Sequence, residues 1–157
     1  WEGDSIVGKD HRSAIGTLVE RTFKYTIIVE YGSDKSAENV ARAFAEAYKS
    51  IPERFKKTLT FDRGSEMAQH ELFTQLTGIP VYFADPGCPG QRGTNENTNG
   101  LIRQFFPKKT DFSKVSKQEL QQVEDLLNAR PRKKLGFKTP VEMLDDWKKG
   151  PEPPYKY

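Results

Sequence analysis

The sequence predicts an α/β domain built on a five-stranded mixed sheet, three strands antiparallel and then two parallel, with helices on both faces. Three observations predict it. Strand patterns follow one another from Trp1 to Glu30 with only short polar links, as in an antiparallel meander. From Ser36 to Ala84 the pattern changes to helix–strand–helix–strand, which favours parallel additions to the same sheet. A length of 157 residues suits one domain with a real core.

The elements follow in order. Trp1 to Gly8 reads as the first strand, with Ile6 and Val7 apolar and Asp4 partway along; Lys9 to Arg12 is a polar turn and Ala14 to Val19 the second strand. From Phe23 the residues alternate, Phe23, Tyr25, Ile27 and Val29 against Lys24, Thr26 and Glu30, the mark of a half-buried third strand. After the turn Gly32 to Lys35, Ser36 caps a helix to about Lys49 whose Val40, Ala43, Phe44 and Ala47 form one apolar stripe. Pro52 closes it. Thr58 to Phe61 is the fourth strand, Met67 to Thr77 a helix stopped by Gly78, and Val81 to Ala84 the fifth strand.

Asp85 to Gly93 is a Gly- and Pro-rich loop of the kind that carries function. A helix from about Asn95 to Phe106 follows, with Thr98, Leu101, Ile102 and Phe105 on its apolar side and Glu96, Asn99, Gly100 and Arg103 opposite. Ser116 and Glu119 spell a capping box for a helix to Ala129, and Thr139 and Glu142 spell another for a last helix to Trp147. Between them lies the basic connector Arg130-Pro131-Arg132-Lys133-Lys134. The domain is expected to fill residues 1–149, and 150–157 reads as a Pro-rich tail or linker.

Hydrophobic residues make up 35% of the chain and no apolar run nears the length of a membrane span. No signal-peptide pattern is present, the chain opens on Trp1 as a fragment of a longer protein would, and the single Cys88 excludes an internal disulfide. A cytoplasmic location is expected. Net charge is +3, but Gln91 to Lys134 holds 10 Lys/Arg against 5 Asp/Glu. Basic surroundings beside acidic residues suit an enzyme that attracts a phosphate backbone and works on it with carboxylates.

Three acids stand on separate elements: Asp4 on the first strand, Asp62 at the end of the fourth, and Glu96 in the first turn of a helix, 33 residues beyond Asp62. Two-metal phosphoryl transfer needs several carboxylates, because Mg²⁺ prefers hard oxygen ligands and two adjacent ions must be bridged and neutralised. Glu2, Glu66 and Asp85 are rival acids, and spacing alone leaves the choice open.

Four stretches closely resemble the catalytic core of the IS30 family of bacterial insertion-sequence transposases: Trp1-Glu2-Gly3-Asp4, Gly16-Thr17-Leu18-Val19-Glu20-Arg21, Asp62-Arg63-Gly64-Ser65-Glu66-Met67, and Gln91-Arg92-Gly93-Thr94-Asn95-Glu96-Asn97-Thr98-Asn99-Gly100-Leu101. Asn128-Ala129-Arg130-Pro131-Arg132-Lys133 and Leu135-Gly136-Phe137-Lys138-Thr139-Pro140 add to the likeness, which runs to about Leu144. The resemblance implies an RNase H-like fold, with Asp4, Asp62 and Glu96 as a DDE triad holding two Mg²⁺ ions (Mn²⁺ as substitute). It also implies hydrolysis at transposon ends to free a 3′-OH, attack of that 3′-OH on target DNA, and assembly into a dimer or higher multimer on DNA. Where the family usually reads Ser-Pro-Trp, this chain has Cys88-Pro89-Gly90; loss of an aromatic there lowers the loop's exposed apolar surface.

Arg92, Asn95, Asn99 and Arg103 are candidates for contacts to DNA near Glu96, and Lys108, Lys109, Arg130, Arg132, Lys133 and Lys134 for the DNA path. His11 and His70 read as structural or surface residues, and Phe105, Phe106 and Trp147 as core. Two other functions fit the same fold: an RNase H-like nuclease or resolvase, and a non-catalytic DNA-binding or assembly module.

Overall fold

The structure, a computed structural model, describes residues 1–151; most of the expected tail, residues 152–157, lies outside the described residues. Its strands are β1 (Glu2–Val7), β2 (Ala14–Val19), β3 (Thr26–Glu30), β4 (Leu59–Phe61) and β5 (Val81–Phe83). They form one sheet in the order β3-β2-β1-β4-β5. The β1–β2 and β2–β3 pairs are antiparallel, and β4 joins β1, and β5 joins β4, in parallel. The helices are α1 (Ala37–Lys49), α2 (His70–Thr77), α3 (Gly93–Phe105), α4 (Lys117–Asn128) and α5 (Pro140–Lys149).

Period-two alternation in the strands feeds two cores, one on each side of the sheet. Leu18, Val29, Phe44, Phe61 and Phe73 lie in the core under α1 and α2. Ile6, Ile15, Ile102, Leu120 and Leu127 lie in the core under α3 and α4. β2 is central enough to be buried on both faces along its length. Its Gly16 leaves room for the Phe44 ring of α1: a Cβ there would stand 2.6 Å from it. Ser36 caps α1 through Asn39, and both capping boxes form, Ser116 with Glu119 and Thr139 with Glu142.

β3 is an edge strand, and α4 occupies its open edge with side chains. The Thr26 N–H donates to Asn128 Oδ1 at 2.8 Å, Asn128 Nδ2 donates to the Thr26 carbonyl at 2.7 Å, and the Ile28 N–H donates to Glu124 Oε2 at 2.8 Å. The asparagine amide thus replaces one residue of a missing neighbouring strand, which blunts the edge against pairing with another chain.

Several boundaries differ from expectation. The third strand begins at Thr26, not Phe23, because the Glu20 carboxylate gathers the N–H groups of Thr22 and Phe23 into a turn and Lys24 takes a left-handed φ of 65°. Phe23 is still fully buried, against Phe55 and Trp147. The helix expected from Met67 begins at His70, after a 3₁₀ turn over Ser65–Met67. On α3 the buried residues are Asn95, Thr98 and Ile102, while Phe105 is 44% exposed. The inward face is therefore rotated from the expected stripe, toward the asparagines, and Phe105 is not core.

Candidate active site

Alternation on β1 turns Glu2, Asp4 and Ile6 to the α3 side of the sheet, where Ile6 joins that core. Glu2 and Thr60 are register partners across β1 and β4; two residues further on each strand the register brings Asp62 beside Asp4. Phe61 packs on Phe44 on the opposite face, so the next residue, Asp62, faces α3. The sheet alone therefore sets two carboxylates side by side.

Arg92 closes the pair. It ends the 3₁₀ turn Pro89–Arg92 that leads into α3, and its guanidinium lies between the acids, Nη2 at 3.3 Å from Asp4 Oδ2 and Nη1 at 3.3 Å from Asp62 Oδ2. Nη1 is buried and has no aligned hydrogen-bond partner, so its pairing with Asp62 is Coulombic rather than directional. Asp4 is also held by Asn99, whose Nδ2 donates to Oδ2 at 3.0 Å, and by the Ser5 N–H on Oδ1 at 2.9 Å. Burial pushes the Asp4 carboxyl up, the Arg92 guanidinium and the Ser5 N–H hold it back, and the charges of Asp62 and Glu66 push it up further. Asp62 Oδ1 accepts the Gly64 N–H at 2.9 Å. A Cβ on Gly64 would stand 2.4 Å from Glu66 Oε2 and 2.8 Å from Asp62 Oδ1, so a larger residue there would push these two carboxylates aside.

Glu96 sits one helical turn beyond Arg92, exposed. It lines a shallow cavity of about 330 Å³ with Asp62, Arg63, Arg92 and the Asp85–Pro89 loop. Among the described residues, no three His, Cys, Asp or Glu side chains lie close enough together to hold a metal ion. Asp4 and Asp62 are brought together and Glu96 shares a cavity with Asp62 but not with Asp4, without the three closing on one point. The donor chemistry nevertheless suits a hard cation: two adjacent carboxylates, one of them raised by burial, with a guanidinium standing between them as the resident positive charge. A larger cleft of about 570 Å³ between α1, β3 and α4 contains none of the three acids.

The rival acids have other employment. Glu2 is 1% exposed; its Oε2 accepts the Asn95 N–H at 2.7 Å, and its Oε1 pairs with Arg21 Nε at 3.1 Å. Asp85 braces its loop by exchanging hydrogen bonds with the Gln91 side chain. Glu66 remains within electrostatic reach of Asp4. His70 stacks edge-on against Phe83.

The candidates for DNA contact divide. Lys108, Lys109, Arg130, Lys133 and Lys134 are exposed. Asn95 is fully buried, donating to the Glu2 carbonyl and to Thr17, and so is a strut between α3 and the sheet instead of a surface contact. Asn99 serves Asp4. Arg103 donates to the carbonyls of Val7, Phe106 and Pro107, and Arg132 to that of Leu127; burial lowers the pKa of both. Three residues escaped the sequence reading. Thr17, the sole hydroxyl residue in the apolar run of β2, lies against Asn95 and Asn99. Lys24 donates to Thr94, beside the start of α3, and Lys134 lies near enough to repel it. Phe137 is 70% exposed at a left-handed φ of 64°, three residues past the basic connector.

A mixed sheet in this order, helices on both faces and an acid within β1 set beside one just past the end of β4 define an RNase H-like domain of the integrase type. In agreement, the structure superposes on a chain of the simian T-cell lymphotropic virus intasome, solved by cryo-EM in complex with PP2A regulatory subunit B56 gamma, with a TM-score of 0.76 over 99% of this chain and 57% of that one, at 16% identity. No protein-family model matches the chain. It is 51% identical over 145 residues to the transposase InsI for insertion sequence element IS30A of Escherichia coli (strain K12), covering 92% of this chain and 37% of that protein. It is 45% identical over 144 residues to the transposase for insertion sequence element IS1086 of Cupriavidus metallidurans, covering 92% of this chain and 42% of that protein. Over nine-tenths of its length the chain thus matches transposases of the IS30 family, and it spans about two-fifths of the length of these relatives.

Proposed function

We propose that the chain is the catalytic core of a DDE transposase, a polynucleotidyl transferase that cleaves DNA at transposon ends and joins the freed 3′-OH to target DNA. The observation that carries this reading is the side-by-side placement of Asp4 and Asp62 under the first turn of α3, with Glu96 lining a cavity beside Asp62. Carboxylates alone would repel a phosphodiester, so the reaction calls for divalent cations at these three residues, two Mg²⁺ ions with Mn²⁺ as substitute. When bound, they supply activation of the attacking oxygen and stabilisation of the leaving oxygen.

The remaining groups prepare that chemistry. Asn99 and the Ser5 N–H fix the Asp4 carboxylate, and the Gly64 N–H fixes that of Asp62. Exposed lysines stand beyond both ends of α3: Lys108 and Lys109 past its C-terminus, Lys133 and Lys134 toward its N-terminus through Lys24 and Thr94. We assign these, with Arg130, to the phosphate backbone of DNA. Joining two transposon ends requires at least two such sites, so the working form is a dimer or higher multimer on DNA, in the bacterial cytoplasm. No helix among the described residues is long and apolar enough to cross a membrane.

The test is a joining assay with a labelled transposon-end duplex, a plasmid target and Mg²⁺ or Mn²⁺. Wild type is expected to yield nicked and joined products, and Asp4→Asn, Asp62→Asn and Glu96→Gln neither. Cutting without joining would favour a nuclease; DNA binding without cutting, unchanged by the three substitutions, would favour a non-catalytic module.

A further inference from the structure

We infer that Arg92 is a tethered counter-cation of the metal site: it holds Asp4 and Asp62 in the metal-free protein and must withdraw before a divalent ion binds them. The inference rests on the reading of these two acids as metal ligands. Three observations support it. First, the guanidinium bridges the two carboxylates through different nitrogens, and the side chain is only 11% exposed. A divalent ion taking the same oxygens at the short distances such ions require would meet a fixed positive charge in its own place. Second, the hold is loose. Both contacts are 3.3 Å, longer than the usual charge-assisted bond of about 2.7–2.9 Å, and Nη1 is buried without an aligned acceptor. A guanidinium serving only to lock the fold would have its donors satisfied. Third, there is room beside it: a Cβ at Gly90 or Gly93, on either side of Arg92, would stand in open space, so the side chain has somewhere to go on leaving the acids without displacing a packed neighbour there.

Arg92 also lies at the cavity that Glu96 lines. Withdrawn from the acids, it remains tethered within reach of whatever occupies that cavity, and a phosphate there is a partner that guanidinium binds well. The exchange gives coupling between two ligands. Metal expels Arg92, DNA phosphate receives it, and each therefore raises affinity for the other by the same factor. Arg92 acts through Asp4 and Asp62, and is on this account a positioning residue that sets the threshold for metal binding.

Calorimetric titration with Mn²⁺ tests this on wild type, Arg92→Gln and Asp62→Asn, alongside the rise in Tm that Mn²⁺ produces in each. Removing a positive charge within about 4 Å of two ligands should tighten Mn²⁺ binding at least ~10-fold in Arg92→Gln, enlarge its Mn²⁺-induced Tm rise, and leave Asp62→Asn without binding. Binding by Arg92→Gln where wild type shows none is the same result in stronger form. Mn²⁺ binding that is lost in Asp62→Asn but equal or weaker in Arg92→Gln overturns the inference and leaves the metal site standing. Binding indifferent to Asp62→Asn, or absent from every variant, removes the metal site and the inference together. Should Arg92→Gln fail to fold by circular dichroism, Arg92→Met replaces it. Methionine keeps the length of the side chain and removes the charge, so affinity above wild type is expected and equal affinity overturns the inference.

Discussion

Glu2→Gln separates the two acids of β1. The α3 helix starts at Gly93 without a side-chain cap from Arg92, so the N–H of Asn95, in its first turn, is one of the donors a helix start leaves unpaired. Glu2, from another element, supplies the acceptor at 2.7 Å, and its carbonyl receives Asn95 Nδ2 at 3.2 Å. A hydrogen bond to a charged partner contributes about 1.5–3 kcal/mol and a neutral one about 0.5–1.5, so the amide forfeits roughly 1 kcal/mol. Loss of negative charge at a helix start adds about 0.3–1 kcal/mol. Arg21 is 57% exposed, which limits its share to about 0–1 kcal/mol. The total is roughly 2 kcal/mol, a fall in Tm of about 4–8 °C for a chain of this size. Thermal unfolding with and without Mn²⁺ reads it. Stability should drop while Mn²⁺ affinity stays within about threefold of wild type, because Glu2 is saturated by protein donors. An unchanged Tm, or Mn²⁺ binding lost in Glu2→Gln but kept in Asp62→Asn, would refute the division of labour between Glu2 and Asp4.

Four further outcomes follow from the same geometry. Burial holds the Glu124 carboxyl above its ordinary pKa, against the pull of the Ile28 N–H, so its contribution to stability is full below the unfolded value and is lost as pH rises through the folded one. Glu124→Gln keeps an acceptor for Ile28, and its Tm relative to wild type should be higher at about pH 7 than at about pH 4; a difference that does not change with pH would count against it. In DNA binding, Lys133→Ala and Lys134→Ala should each reduce the salt slope by about one. Phe137→Ala should weaken binding to unpaired DNA about tenfold with the slope unchanged, since stacking on an exposed ring releases no counterions; equal binding with and without the ring would exclude it from the interface. Around Gly90 there is open space, so Gly90→Trp should shift stability by less than about 0.5 kcal/mol, read by urea denaturation, and a larger loss would mean that the loop packs more tightly than the structure shows.

What the sequence disclosed and what it hid have a common physical cause. The senses of the five strands and both capping boxes were legible because each depends on neighbours within a few residues or on the lengths of the links between strands; among the acids, spacing alone left the choice open. The start of β3 was misplaced because apolar alternation continues through Phe23 and Tyr25, while the backbone there obeys Glu20, which bends it into a turn. The face of α3 was misjudged for a related reason. A helical wheel counts Asn95 and Asn99 as polar and sends them outward, but the surface they meet is itself polar, Thr17 and two acids of β1. Nothing near Glu2 in the sequence announces that its partner lies 93 residues away. The position of Arg92 was equally hidden: a basic residue in a Gly-rich loop suggests an outward phosphate contact, and only the fold shows the carboxylates behind it.

Glu2 and Asp4 are two residues apart on one face of one strand, and the contrast between them shows how the domain separates structure from chemistry. The donors on Glu2 are a backbone N–H of α3 and the guanidinium of Arg21; the first cannot leave without unwinding the helix start, so this charge is spent on the fold. Asp4 keeps a backbone donor only on Oδ1, while Oδ2 is met by the side chains of Asn99 and Arg92, which can rotate away at the cost of rotamers alone. Oδ2 is therefore the displaceable oxygen, and it faces the second acid. An acid becomes available for metal, on this argument, through which of its partners are backbone and which are side chains, and exposure matters less: Asp4 is itself only 18% exposed. The same criterion applied to Asp62, where the Gly64 N–H holds Oδ1 and Arg92 meets Oδ2, leaves Oδ2 as the oxygen held by a side chain alone. Both free oxygens then point at one guanidinium, so Arg92 is the element whose movement decides whether the site is open.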